Sequence, residues 1–269
     1  MTDTAGRITR EGIRIHEAAD FAAMHKAGQV AAAILDDIAP HVFPGQTTAE
    51  IDRLITEMVN ERGVVSATIG YRGYQHASCI SVNHVVCHGI PGPKTLANGD
   101  ILNIDVTVIV DGWFGDTSRM YVAGDLSRKA ERLIQVTHDA LMLGIEAVKP
   151  GNTFGDIGHA IQTYVEAQRM SVVRDFCGHG LGRVFHAPPN VLHYGKPGRE
   201  AVLEEGMFFT IEPMVNLGRP ETKVLADEWT AVTRDKSLSA QFEHSVGVTA
   251  TGVEIFTLSP AGRFHPTWG

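Results

Sequence analysis

The chain is short of cysteine, of positive charge and of long apolar runs. Its three cysteines, Cys79, Cys87 and Cys177, form no C-x-x-C pair. That argues against a structural zinc site and suits reduced thiols in a cytoplasm. With 23 Lys and Arg against 31 Asp and Glu the formal charge is −8, so neither nucleic acid nor an anionic membrane is expected as a direct partner. No run approaches the ~20 apolar residues of a membrane span. Asp3, Arg7, Arg10, Glu11, Arg14, Glu17, Asp20 and Lys26 interrupt the start of the chain and leave no apolar segment for a signal peptide.

What is present is an ordinary globular composition, 43% hydrophobic and 20% charged over 269 residues, enough for a substantial core. From Ala18 to Ile38, apolar Phe21, Met24, Val30, Ile34, Leu35 and Ile38 recur at helical intervals until Pro40 and Pro44 stop them. A second helix is expected over 48–62, opened by Thr47 with Glu50, closed by Gly63, and burying Ile51, Leu54, Ile55 and Met58. A strand-rich stretch over 64–122 precedes helices at 127–148 and 154–169, and strands and loops follow from 171.

Helices followed by strands thus occur twice, and the letters repeat. Pro44-Gly45-x-Thr47-x-x-Glu50-Ile51 returns as Pro150-Gly151-x-Thr153-x-x-Asp156-Ile157, and Ile55 and Val59 return as Ile161 and Val165, all at an offset of 106. Each feature alone is common at helix starts. The shared offset favours a single domain over 1–269 with a short N-terminal extension at 1–12 and related halves at about 17–122 and 123–250. Such halves place a site at their seam.

The segment ILNIDVTVIVDGWFGDTSRMY contains two alternating strands around Asp111-Gly112, a hairpin turn signal. That turn sets Thr107 opposite Asp116 and Asp105 opposite Ser118, so the two aspartates share a face about 7 to 8 Å apart. Carboxylates this close repel unless a cation lies between them. Ile104, Val106 and Val108 form the opposite, core stripe, and Asn103, Asp105 and Thr107 face something polar. An exposed sheet face would explain that polarity equally well.

Elsewhere, CGHGLGRVFH sets His179 between glycines, where a ligand can approach closely, and His186 seven residues on. GMFFTIEPM and AQFEHSVGV each place one carboxylate, Glu212 and Glu243, in an apolar strand, which is costly unless the group is paired or metal-bound. The offset of 106 carries Asp105 to position 211, one residue from Glu212. Asp105, Asp116, His179, Glu212 and Glu243 form a hard, oxygen-rich donor set with one imidazole, suited to two divalent ions such as Mn, Fe, Co or Zn.

NIDVTVIVDGWFGDTS, CISVNHVVCHGIP, GHGLGRVFH, FTIEPM and SLSAQFEHSVGVT, in this order, resemble the signature stretches of type I methionine aminopeptidases. The resemblance implies the α/β pita-bread fold, two pseudo-twofold halves with antiparallel sheet inside and helices outside. It implies hydrolytic removal of the initiator methionine from nascent polypeptides when the second residue is small, by a water activated at two metals. Asp105 would chelate one metal, Asp116 and Glu243 bridge, and His179 and Glu212 hold the other. Glu212 is the implied proton shuttle; His186 would bond substrate and tetrahedral intermediate, and His88 would lie near the scissile amide. Tyr71, Tyr74, Cys79, Phe185 and Trp229 match the methionine pocket. A monovalent cation, Na or K, is implied near Asn83, Val85 and Ser239, and the expected enzyme is a cytoplasmic monomer with the ribosome as a further partner.

Thr68, His84 and Gln75-His76 depart from common versions of the pattern and leave the shape of the pocket open. Two alternatives share the fold. One is an Xaa-Pro aminopeptidase or prolidase, which usually carries another N-terminal domain; the other is a non-catalytic binding protein, which typically lacks a metal ligand.

Overall fold

The structure, a computed structural model, describes residues 7–263; residues 1–6 of the expected extension lie outside the described residues. The first half runs α1 (Ala18–Ile38), α2 (Thr48–Glu61), β1 (Val65–Ser66), β2 (Ser78–Val82), β3 (Val85–Cys87), β4 (Asp100–Val110) and β5 (Trp113–Ala123). The second begins with α3 (Arg128–Glu146) and α4 (Phe154–Ala167), then β6 (Ser171–Val172), β7 (Gly178–Gly180), β8 (Ala187–Val191) and β9 (Phe208–Ile211). It continues through β10 (Met214–Asn216), β11 (Thr222–Val224), β12 (Ala231–Thr233), β13 (Ser239–Gln241), β14 (His244–Val248) and β15 (Val253–Ile255). All strand pairs are antiparallel. Among the described residues no helix is long and apolar enough to cross a membrane.

The first helix keeps its expected bounds because Asp20 returns to the Glu17 amide at 2.9 Å and Pro40 follows its end. Its small residues let it lie directly on the sheet. A Cβ on Gly115 of β5 would collide with the Ala27 carbonyl, and one on Gly28 with the Phe256 carbonyl. In α2 only half of the expected capping box forms. Thr47 Oγ1 accepts the Glu50 amide at 3.2 Å, while the Glu50 carboxylate turns outward to Arg53. The buried face of α2 is also rotated from expectation. Asp52 and Val59 are buried with Ile51 and Ile55, whereas Leu54 and Met58 only flank the core. Asp52 is drawn inward because it accepts the Ala77 and Ser78 amides, each at 3.0 Å. Helices α2, α3 and α4 end one or two residues short of expectation at one or both termini, where helices fray.

Two apolar clusters occupy the two halves. One packs α1 and α2 on β2, β4 and β5, and the other packs α3 and α4 on β9, β10, β13 and β14. Equivalent bonds anchor the two Pro-Gly turns: Gly45 N–H to Leu96 O at 2.8 Å, and Gly151 N–H to Leu203 O at 3.0 Å. The offset is therefore 106 at the turn but 107 at its partner, so the second half carries one extra residue in between. That insertion corrects the extrapolation to 211 and makes Glu212 the counterpart of Asp105. The halves join where β5 meets β14: the Glu243 amide donates to Ser118 O at 3.1 Å, and Thr117 and Ser245 hydroxyls reach across at 2.7 and 2.6 Å.

Candidate active site

Asp111 and Gly112 both have positive φ, 51° and 81°, which closes the two-residue turn between β4 and β5. The register then follows the sequence: Val110 opposite Trp113, Thr107 opposite Asp116, Asp105 opposite Ser118. This face is not solvated, as one reading of the sequence allowed. Asn103, Thr107, Asp116 and Ser118 are all buried, because the second half covers them. Asn103 Nδ2 bonds the Gln241 carbonyl at 2.8 Å across the seam.

His179 enters from β7. Its glycines serve close packing: a Cβ on Gly178 would strike the Thr210 carbonyl, and one on Gly180 the Pro188 carbonyl. The imidazole Nε2 lies 3.4 Å from Asp116 Oδ2 and 3.9 Å from Glu212 Oε1. Glu212, just past β9, is held by the Thr210 hydroxyl at 2.9 Å on Oε1 and by Gln241 Nε2 at 3.3 Å on Oε2. Donor atoms of Asp116, His179 and Glu243 lie within 4.8 Å of one another, and Asp105 Oδ1 is buried without a protein partner.

The electrostatics of this cluster describe a missing positive charge. Burial, then the charges of Asp116 and Glu212, push the Asp105 carboxyl well above its ordinary range. Burial and the same neighbours push up Glu243. Burial lifts Glu212 to about 7. Burial works against protonation of His179, but the bond to Asp116 and the Glu212 charge prevail and raise it to about 9. No Lys or Arg is among the described residues lining the cavity. The donor chemistry, the orphaned Asp105 oxygen and this unbalanced charge all fit divalent cations.

The cavity, about 790 Å³, is lined by every residue expected to hold the divalent ions, bind substrate or act in catalysis: Tyr71, Tyr74, Cys79, His88, Asp105, Asp116, His179, Phe185, His186, Glu212, Trp229 and Glu243. Tyr74 and Trp229 rings lie 4.8 Å apart, and Tyr71 and Phe185 rings 5.0 Å apart. Tyr74 donates its hydroxyl to Ser78 O at 2.9 Å, and Thr68 commits its own to His76 O at 2.7 Å, which leaves the wall mainly apolar. Cys79 faces the Asp105 position across β2 and β4, and burial raises its thiol pKa, so it stays a neutral, soft contact. His186 packs 4.2 Å from His179 and is lowered to about 4 by burial and by the charge of His179. His88 packs against Phe176 and Trp229 and is likewise lowered by burial. Both imidazoles are therefore neutral at pH 7.

Sequence reasoning assigned no role to the residues that hold the donors. Strand alternation had already put Thr107 on the face of Asp105 without naming its bond, and Thr210, two residues from Glu212, could have been found the same way. Gln241, two residues before Glu243, carried the same signal, and His193 carried none. Asn83 and Ser239, from the expected monovalent-ion segments, do meet: the Ser239 amide donates to Asn83 O at 2.9 Å.

Residues 22–250 match the family described as Metallopeptidase family M24. The chain is 55% identical over 257 residues to the methionine aminopeptidase of Rickettsia prowazekii (strain Madrid E), covering 95% of this chain and 99% of that one. A crystal structure of methionine aminopeptidase from Rickettsia prowazekii superposes with a TM-score of 0.91 at 56% identity, covering 91% of this chain and all of that one. The prolidase of Pyrococcus horikoshii OT3 shares the fold alone, with a TM-score of 0.72 at 19% identity, and this chain covers 91% of itself and 63% of that longer protein.

Proposed function

The chain belongs to metallopeptidase family M24, and we propose that its five buried donors hold a pair of divalent cations with which it removes the N-terminal methionine from proteins. It is a metallo-aminopeptidase of the methionine type with the pita-bread fold. One observation carries the metal reading: four carboxylates and an imidazole from both halves converge in a cavity with no lysine or arginine in its described lining. Asp105 would help hold one cation and His179 and Glu212 the other, with Asp116 and Glu243 shared between them, as the resemblance to type I methionine aminopeptidases implies. Co, Mn, Fe and Zn all suit this donor set. When bound, the cations lower the pKa of a water and polarise the carbonyl to be attacked.

The chain's own groups do the rest. Glu212, with its carboxylate oriented by Thr210 and Gln241, takes the proton of the attacking water and delivers it to the leaving amine. His186 bonds the carbonyl oxygen as it gains charge, and His88 bonds the scissile amide. Neutral imidazoles suit both tasks. Tyr71, Tyr74, Cys79, Phe185 and Trp229 receive the methionine side chain, whose thioether packs well on aromatic faces. A small second residue is the preference that the resemblance to type I methionine aminopeptidases implies for this cavity.

The substrates are the N-termini of nascent chains, met in the cytoplasm and at the ribosome, by a monomeric enzyme that binds neither nucleic acid nor membrane directly. The described residues form one catalytic domain, and a sodium or potassium ion would lie near the segments of Asn83, Val85 and Ser239. The test is hydrolysis of Met-Ala-Ser by metal-depleted protein given Mn²⁺, against Ala-Pro peptides in parallel. Release of methionine is expected; preference for Ala-Pro would assign the chain to the prolidase-like class, and cation binding without hydrolysis to a binding protein.

A further inference from the structure

Glu212 lies just past the end of β9, whose last ladder pair with β14 is Ile211 opposite His244, and Pro213 follows it. Its backbone amide is therefore beyond the regular ladder, at the point where the carboxylate must be aimed. The acceptor for this amide is a side chain: Glu212 N–H donates to His193 Nε2 at 3.0 Å. Because Nε2 accepts, the ring proton sits on Nδ1, which is buried and has no protein partner. A fully buried imidazole with one unpaired N–H is unfavourable as mere core filling.

The segment carrying His193 is fixed against α4. A Cβ on Gly158 would collide with the carbonyls of both Leu192 and Tyr194, so the backbone on either side of His193 lies on the helix at a spot only glycine permits. The repeat helix of the second half thus reaches the carboxylate through one imidazole. Thr210 and Gln241 hold the head of Glu212, and Pro213 confines its backbone to extended geometry. His193 holds the N–H side of the 211–212 peptide, whose Ile211 carbonyl belongs to the ladder with β14.

We propose that His193 is a positioning residue that sets the Glu212 backbone, and through it the carboxylate, for cation binding and proton transfer. The inference rests on the aminopeptidase reading above. It distinguishes the two ring nitrogens, which the test exploits: Gln at 193 presents its oxygen where Nε2 stands, whereas Asn presents its oxygen where Nδ1 stands.

The experiment compares His193→Gln, His193→Asn and His193→Leu with wild type in three measurements: Mn²⁺ titration of metal-depleted protein by calorimetry, kcat and KM on Met-Ala-Ser, and thermal melting. The expected result is His193→Gln within about three-fold of wild type in Mn²⁺ affinity and kcat. His193→Asn and His193→Leu should lose about ten-fold or more in both, with KM changed less than about two-fold. Equal behaviour of the Gln and Asn variants, or Leu with an unchanged Mn²⁺ isotherm, overturns the proposal. Should His193→Leu fail to fold, the Gln and Asn comparison decides alone. A wild-type protein that binds Mn²⁺ yet releases no methionine would sink the aminopeptidase reading, while the titrations would still judge His193.

Discussion

Thr107 donates its hydroxyl to Oδ1 of Asp116 at 2.7 Å from the position directly opposite it in the β4 and β5 ladder. The bond fixes one oxygen of that carboxylate and leaves Oδ2 turned toward His179. Thr107→Val keeps the shape and removes the bond. Activity and Mn²⁺ affinity should fall about 10- to 100-fold, the usual cost of losing a bond that orients a metal ligand. Steady-state kinetics with metal titration checks this, and wild-type values would show that Asp116 needs no such support.

In the proposed mechanism Glu212 is both cation ligand and proton carrier. Glu212→Ala should reduce kcat by at least about 1,000-fold while circular dichroism stays native. Near wild-type turnover would remove Glu212 from the chemistry.

Metal-free protein should respond to pH through the same residue. Burial raises Glu212 from 4.5 to about 7 in the folded state, so its contribution to stability is full below pH 4.5 and is lost as pH rises through about 7. His186, lowered to about 4, acts in the opposite sense, gaining stability as pH climbs from 4 to 6.5. The melting temperature of metal-free wild type relative to Glu212→Gln should fall from pH 5 to pH 8, because only the wild type has a carboxyl to ionise there, and the variant also loses the Glu212 charge that raises His179. Cation binding must expel the retained protons, so Mn²⁺ affinity should increase over the same range, with proton release visible by calorimetry in two buffers. A pH-independent affinity would contradict the charge account.

Trp229 faces Tyr74 and His88 at the proposed methionine pocket and is held there by its neighbours: Asp227 accepts the amides of Trp229 and Thr230 at 3.0 and 2.8 Å. Trp229→Ala should narrow the preference for methionine over alanine at the first position about ten-fold or more, measured as a ratio of kcat/KM values. An unchanged ratio would take Trp229 out of the pocket.

Gly115 lets α1 lie on β5, and Gly28 lets it approach the backbone at Phe256 just past β15, with no side chain between. Gly115→Ala should cost about 1–3 kcal/mol of stability, as overpacking of a core does, read by denaturant unfolding of metal-free protein. A stability loss near zero would mean the helix can shift freely.

Much of this was legible because strand alternation and a two-residue turn are local physics. Asp111-Gly112 alone fixed the register that brings Asp105 and Asp116 to one face. The duplication was legible too, except for one inserted residue that no motif marked and that displaced the counterpart of Asp105 from 211 to 212. Burial of α2 was misread at Leu54 and Met58 because Asp52 turns inward to cap distant amides, a tertiary demand that periodicity cannot show. His193 was silent for the same reason. Its meaning lies in a bond to Glu212, 19 residues away, and a histidine in a loop carries no spacing that announces such a partner.

The most direct test is anomalous diffraction at the manganese edge from crystals grown with Mn²⁺. The account predicts two peaks within coordination distance of Asp105, Asp116, His179, Glu212 and Glu243, from protein that releases methionine in the same buffer. Active protein with no manganese at these side chains would contradict it.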